Sequence, residues 1–289
     1  MSALSPSTSD LADDAGLSAT FDAAPSNVVE STVEPNVIEV ENLAAQYRVR
    51  VGAASMRDGV FGRFRRNQAR ARIVPALRGI SLTVPKGAVL GIIGRNGAGK
   101  STLLRAIAGI IPPAEGRITV RGQVSSLLAA GIGFNQSLTG RDNINLGALA
   151  RGLSEERLET LADEIAEFAQ LGEYLDLPMR GYSSGMTSRL GFAIAAHLDP
   201  EILLIDEALA GGDSKYKERV AYKLWDMSNQ GRTLVIVTHG LVAIRSMATS
   251  CLWLHQGKIV AHGDPEDVVS SYMRYCRIER SEESFDEDY

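Results

Sequence analysis

Residues Val89 to Ile110 read VLGIIGRNGAGKSTLLRAIAGI. An apolar run is followed by a glycine-rich turn and then by a segment that reads as a helix. Gly94, Gly99, Lys100 and Ser101 occupy the fixed places of the pattern G-x-x-x-x-G-K-[ST]. Glycines let backbone N–H groups turn inward and surround phosphate oxygens, and the helix N-terminus adds the positive end of its dipole. Arg95, Asn96, Gly97 and Ala98 complete the turn, and Thr102 ends the motif. Lys100 would reach the β and γ phosphates, and the Ser101 hydroxyl would ligate Mg²⁺. A chance glycine-rich turn is the alternative, and the strand before and helix after the turn oppose it.

Two more apolar runs end in polar residues suited to the same chemistry. "ILLIDE" buries four residues and then releases Asp206 at its C-terminal end, where α/β sheets place ligands. An Asp there holds Mg²⁺ directly or through water. Glu207 would orient or deprotonate a water facing the γ-phosphate. The bland alternative is an acid pair capping the next helix. His239 ends "TLVIVTH" and would stabilise charge on the γ-phosphate. His197, His255 and His262 read as structural. No N-K-x-D sequence is present, which argues against a GTPase.

The rest of the chain reads as an α/β protein. Strands alternating with helices predict a mostly parallel sheet. "VIEVENL" alternates like a half-buried strand, and "RGISLTVPKGAVLGIIG" gives a strand, a turn and a central strand covered on both faces. "EGRITVRGQVSSLL" reads as a short antiparallel pair, and "CLWLHQGKIVAHG" as a hairpin. Residues 141–175 carry apolar residues three and four apart and predict helices, with Ser154 as an N-cap. Arg157, three residues on, leaves Ser154 without a reciprocal capping box.

Charge separates body from ends. Net charge is −5, yet residues 1–36 carry six acids and no Lys or Arg, and residues 279–289 carry six acids and one Arg, leaving +6 between them. The Ser-, Ala-, Asp- and Pro-rich start predicts disorder for residues 1–36. Cys251 and Cys276 lack metal-ligand spacing and are expected as reduced thiols. No uncharged apolar run reaches the roughly 18 residues that span a bilayer, and the start has no secretory pattern.

These residues resemble the nucleotide-binding subunit of an ABC transporter. "YSSGM", Tyr182 to Met186, looks like a variant of that family's L-S-G-G-Q signature. The resemblance covers about residues 37–275, with a helical subdomain at about 141–198 and an acidic C-terminal tail at 276–289. It implies an ABC-type P-loop NTPase core with an antiparallel β subdomain and an α-helical subdomain. It implies ATP with Mg²⁺ as cofactors, and a head-to-tail pairing of two copies. Ser183, Ser184 and Gly185 would then bind the ATP held by the other copy, as would Asp213 in "AGGDSKYKER". Tyr47 sits where the family often stacks an aromatic on adenine; a core aromatic at a strand end is the other reading.

More narrowly, "GIIGRNGAGKSTLL", "LLAAGIGFNQSLTGRDNI", "YSSGM" with "AIAAHLDPEILLIDE", and "LAGGD" resemble the branch that exports lipid-linked polysaccharides of O-antigen, galactan or teichoic acid type. That implies a pair of separate transmembrane permease subunits, a lipid-linked polysaccharide substrate and a peripheral place on the cytoplasmic face of the membrane. Gln136 does not align with the family's metal-contacting glutamine, and Gly240 replaces the acid usual after the histidine. The chain stops at Tyr289, so the C-terminal carbohydrate-binding domain of some O-antigen exporters is not expected. The insertion "MRDGVFGRFRRNQARARIV" carries Arg57, Arg63, Arg65, Arg66, Arg70 and Arg72. It reads equally as a contact for lipid head groups or pyrophosphate and as a solvated basic hairpin. Two competing classes are a soluble ABC ATPase acting on nucleic acid or ribosomes, and a non-hydrolysing ATP-binding scaffold. The first usually has two nucleotide domains or a long coiled coil, and Glu207 and His239 argue against the second.

Overall fold

The computed structural model describes residues 35–51, 70–127, 133–206 and 213–286. In chain order the elements are β1 (Asn36–Val51), β2 (Arg70–Pro85), β3 (Val89–Ile93), α1 (Lys100–Ile107), β4 (Glu115–Val120) and β5 (Val124–Leu127). Then come α2 (Gly140–Leu149), α3 (Glu155–Ala169), two 3₁₀ turns (Gly172–Asp176 and Met179–Gly181) and α4 (Ser184–His197). The last third holds β6 (Ile202–Ile205), α5 (Ser214–Asn229), β7 (Thr233–Val237), α6 (Leu241–Met247), β8 (Ser250–His255), β9 (Lys258–Gly263) and α7 (Pro265–Asp286). Among these residues, no helix is long and apolar enough to cross a membrane.

The strands form two sheets. One is antiparallel, in the order β2-β1-β4; the other runs β5-β6-β7-β3-β8-β9 and is parallel except for the β8–β9 hairpin. All five residues of β3 are buried, as expected of a strand with neighbours on both edges and layers on both faces. Even inside these apolar runs the two-residue period persists. Leu203 and Ile205 of β6 pack with the α2–α5 side, whereas Ile202 and Leu204 face β1, β2 and α1.

One expectation fails. The segment from Glu115 to Leu127 is not an antiparallel pair: β4 pairs antiparallel with β1, and β5 pairs parallel with β6. The link between them carries the chain from one sheet to the other. Arg121 donates its N–H to the Val37 carbonyl at 2.8 Å on the first sheet, and the Gln123 carbonyl accepts from Ile202 at 3.0 Å on the second. The final helix also crosses position 275, so the acidic C-terminal residues as far as Asp286 are helical. Residues 1–34 lie outside the described residues.

Phe168 of α3 anchors the helical layer. It packs on Phe192 of α4 at 5.7 Å and on Tyr216 of α5 at 6.0 Å, and meets the His197 ring edge-on at 4.9 Å. His197 Nδ1 lies 2.7 Å from the Ala193 carbonyl, so the neutral ring donates there. Burial, reinforced by nearby Lys223, holds the His197 pKa below its usual value. The unfolded chain therefore takes up this proton first as pH falls below about 6.5, and stability that is present above that pH is lost. His262 is depressed by burial in the same direction. Thermal unfolding at pH 7.5 and 5.5 checks this: the acid-induced drop in melting temperature should shrink, without vanishing, in His197→Phe. An equal drop in both proteins would refute it.

Candidate functional site

The site grows from the junction of β3 and α1. Gly94, Gly97 and Gly99 all have positive φ, and Gly99 is the left-handed N-cap of α1 with no side chain to satisfy the helix's first N–H groups. Those donors point into the loop, an arrangement suited to an anion. The Lys100 side chain is buried and folds back over the loop. Its ammonium donates to the Gly94 carbonyl at 2.7 Å and the Arg95 carbonyl at 3.0 Å. A cation is thus held against the backbone of the loop.

The loop is braced from outside. A Cβ on Gly94 would run into the Leu254 carbonyl of β8, at φ +147. Gly257, in the β8–β9 turn, donates its N–H to Ala98 at 2.9 Å and accepts from Arg78 at 2.8 Å. Tyr47 of β1 adds a third support, with its hydroxyl 3.1 Å from Thr102 Oγ1. The residue as a whole remains 36% exposed although its hydroxyl is engaged.

Sheet register gathers the other candidates. Gly91, Ile236 and Ile205 share one row across β3, β7 and β6. Asp206 therefore follows β6 one row on, at the edge from which the Gly94–Thr102 loop departs, and Thr238 and His239 follow β7 there. Asp206 is 8% exposed, and its N–H donates to Leu127 at 3.2 Å. His239 is exposed and lines a cavity of about 430 Å³ with residues of α5 and α6. Glu207 lies outside the described residues, as do residues 52–69 of the arginine-rich insertion; Arg72 is exposed on β2.

Ser183, Ser184 and Gly185 stand on a different element. Ser183 is the N-cap of α4, its Oγ accepting from Met186 at 3.2 Å, and its carbonyl accepts from Thr187. A Cβ on Gly185 would meet only Ser183 Oγ at 3.8 Å, an ordinary contact. The chain itself therefore gives no steric reason for glycine there. Asp213 caps α5 by accepting from Tyr216 at 2.8 Å, and it pairs with Arg189 of α4 at 3.6 Å. The Arg189 guanidinium in turn lies 4.8 Å over the Tyr216 ring. The structure thus sorts the candidates into two groups: the loop, Asp206 and His239 at one edge of the parallel sheet, with Tyr47 reaching the loop from the antiparallel sheet, and Ser183–Gly185 with Asp213 on the joined α4–α5 unit.

The sequence reading passed over the segment that feeds α4. Asn143 is buried and bonds to both Asn135 and Thr139. Thr139 and Asp142 form a capping box at α2, and the bond from Thr139 holds the Asp142 carboxyl below the usual range. Leu138 and Gln136 offer their carbonyls to the N–H groups of Met179 and Arg180, each at 2.9 Å. Gln136 thus acts through its backbone here, with an exposed side chain. The signal the sequence does carry is Thr139 followed three and four residues later by Asp142 and Asn143.

Residues 77–210 match the family described as ABC transporter. The O-antigen export system ATP-binding protein RfbB of Myxococcus xanthus is 43% identical over 210 residues, covering 73% of this chain and 48% of that protein. The teichoic acids export ATP-binding protein TagH of Shouchella clausii is 42% identical over 200 residues, covering 69% and 55%. The chain spans about half the length of these two relatives. In fold, it is similar to a dimeric post-hydrolysis ATP-binding cassette bound to ADP and Pi (TM-score 0.65, 21% identity, 79% of this chain and 98% of that one). It is also similar to an ATP-binding subunit of an ABC transporter (TM-score 0.66, 23% identity, covering 82% and 93%).

The brace at Gly94 generates a direct test. Gly94→Ala should lower the unfolding free energy by about 2 kcal/mol in a urea titration, since both backbone angle and space oppose a side chain. Wild-type stability in that variant would contradict the geometry.

Proposed function

From the premise that this chain carries an ABC transporter domain, we propose that it is the ATP-hydrolysing subunit of an exporter of lipid-linked polysaccharide. The observation that carries this reading is the sorting of anion-binding groups onto two separate units, with a glycine at 185 whose space is unused by its own chain. Two copies set head to tail bring the Ser183–Gly185 helix start of one to the ATP on the Gly94–Thr102 loop of the other. The polysaccharide class rests on the relatives, whose names specify O-antigen and teichoic acid export.

The residues divide the work. Loop N–H groups and Lys100 hold the phosphates, and Tyr47 offers its ring to the base. Ser101 and Asp206, a hydroxyl and a carboxylate, form an all-oxygen donor set that suits Mg²⁺. When bound, that ion supplies charge neutralisation on the phosphate oxygens. Glu207 aligns the attacking water or takes its proton, and His239 stabilises charge on the γ-phosphate. In the partner, Ser183 and Gly185 contact the γ-phosphate, and Asp213 approaches the same interface. Closure on ATP and opening after release move a separate pair of membrane subunits, with this chain peripheral on the cytoplasmic face.

Steady-state ATPase assays and nucleotide titration test the assignment. Glu207→Gln should retain ATP binding and lose turnover by at least about a hundredfold. Lys100→Ala should lose both. Full turnover in Glu207→Gln would remove the assigned role. Export itself is tested by reconstitution with the candidate membrane subunits: polysaccharide translocation dependent on ATP supports the reading, and ATP turnover unaffected by every such subunit rejects it.

A further inference from the structure

Tyr182, the first residue of "YSSGM", has no phosphate chemistry of its own. Its surroundings give it another task. The Tyr182 hydroxyl donates to the Tyr174 carbonyl at 2.7 Å, inside the 3₁₀ turn Gly172–Asp176. It also lies against Gly140, the first residue of α2. A Cβ at Gly140 would collide with the hydroxyl, and would come within 3.1 Å of the Leu175 side chain and carbonyl. Gly140 is not among the residues with positive φ, so its backbone does not require glycine. What opposes a side chain is space, taken first by the Tyr182 hydroxyl and then by Leu175. A glycine at the start of one helix and a tyrosine before another are therefore one device.

The device sits at a junction. Met179 and Arg180 bond to the carbonyls of Leu138 and Gln136, and an isolated bridge pairs Thr139 with Pro178. The chain then passes through Tyr182 directly into Ser183, the N-cap of α4. Loop 135–139, the start of α2 and the 3₁₀ turn all converge on the residue before the cap. Burial pushes the Tyr182 hydroxyl above its usual pKa.

We infer that Tyr182 is a positioning residue whose hydroxyl, clamped between Tyr174 and Gly140, fixes where α4 presents Ser183 and Gly185. The inference rests on the reading of that helix start as an anion-binding element. A ring that merely filled space would serve equally well as phenylalanine, and this separates the two roles.

The test uses Tyr182→Phe, Gly140→Ala and the double variant in the full chain. Two measurements are made: ATPase kinetics, and amide hydrogen exchange at Met186 and Thr187 without nucleotide. Loss of one hydrogen bond in Tyr182→Phe should reduce kcat about fivefold and speed exchange about fivefold. KM for ATP should change little, because the Gly94–Thr102 loop is untouched. Gly140→Ala should reduce kcat as well. The double variant should recover part of that loss, since removing the hydroxyl makes room for the added methyl group. Wild-type kcat and wild-type exchange in Tyr182→Phe would overturn the inference, as would strictly additive losses in the double variant. A wild-type protein without ATPase activity would count against the function proposed above, and the exchange rates would still decide the clamp.

Discussion

Three parallel strands that end within two rows of one another, at one edge of the sheet, are the constraint on which this molecule depends. β3, β7 and β6 lie side by side in register, each buried along its length. Because they are parallel, their C-terminal ends face the same way, and whatever follows each strand arrives at one edge. A glycine loop follows the first, His239 follows close behind the second and Asp206 follows the third. No long-range folding of loops is needed to assemble them. The apolar interior of the sheet fixes the strand order, and the strand order delivers the polar groups.

Much of this was legible in the sequence because it is local. The strand–turn–helix around Gly94–Thr102 announces itself through apolar runs, glycine spacing and a following helical segment. Ile202–Ile205 and Thr233–Val237 are short apolar runs with polar residues at their ends, and both are central strands. Ser154 lies at an N-cap position even though its side chain makes no capping bond. What escaped was partnership. Nothing in Glu115–Leu127 says that its halves enter different sheets, because the choice depends on Val37 and Ile202, both distant in sequence. The cap of α2 escaped for a smaller reason: Asp142 stands where glutamate is the more familiar partner, although its carboxylate accepts from the Thr139 N–H while its own N–H donates to Thr139 Oγ1.

The helical layer obeys a different logic from the sheet. Two 3₁₀ turns link α3 to α4, and specific side chains help fix how the helices are placed. Phe168 gathers α4 and α5 into one apolar cluster, while Arg189, Asp213 and Tyr216 tie the starts of those two helices into a polar one. Tyr216 is nearly fully buried, which pushes its pKa far above the ordinary tyrosine value, and its hydroxyl donates to the Arg189 carbonyl. The two groups of candidate residues therefore ride on differently built supports, one a rigid sheet edge and the other a set of helices joined by specific contacts.

The bracing of the glycine loop by the β8–β9 turn has a thermodynamic consequence. Ala98 accepts from Gly257, and Gly94 lies against Leu254, so the loop keeps its shape only while that hairpin is folded. An anion that selects the shaped loop must then also favour the folded hairpin, and anything that unfolds the hairpin weakens the hold on the anion in proportion to the folded fraction lost. Lys258 and Ile259, outside the loop, would through this linkage bear on the affinity of any anion it holds.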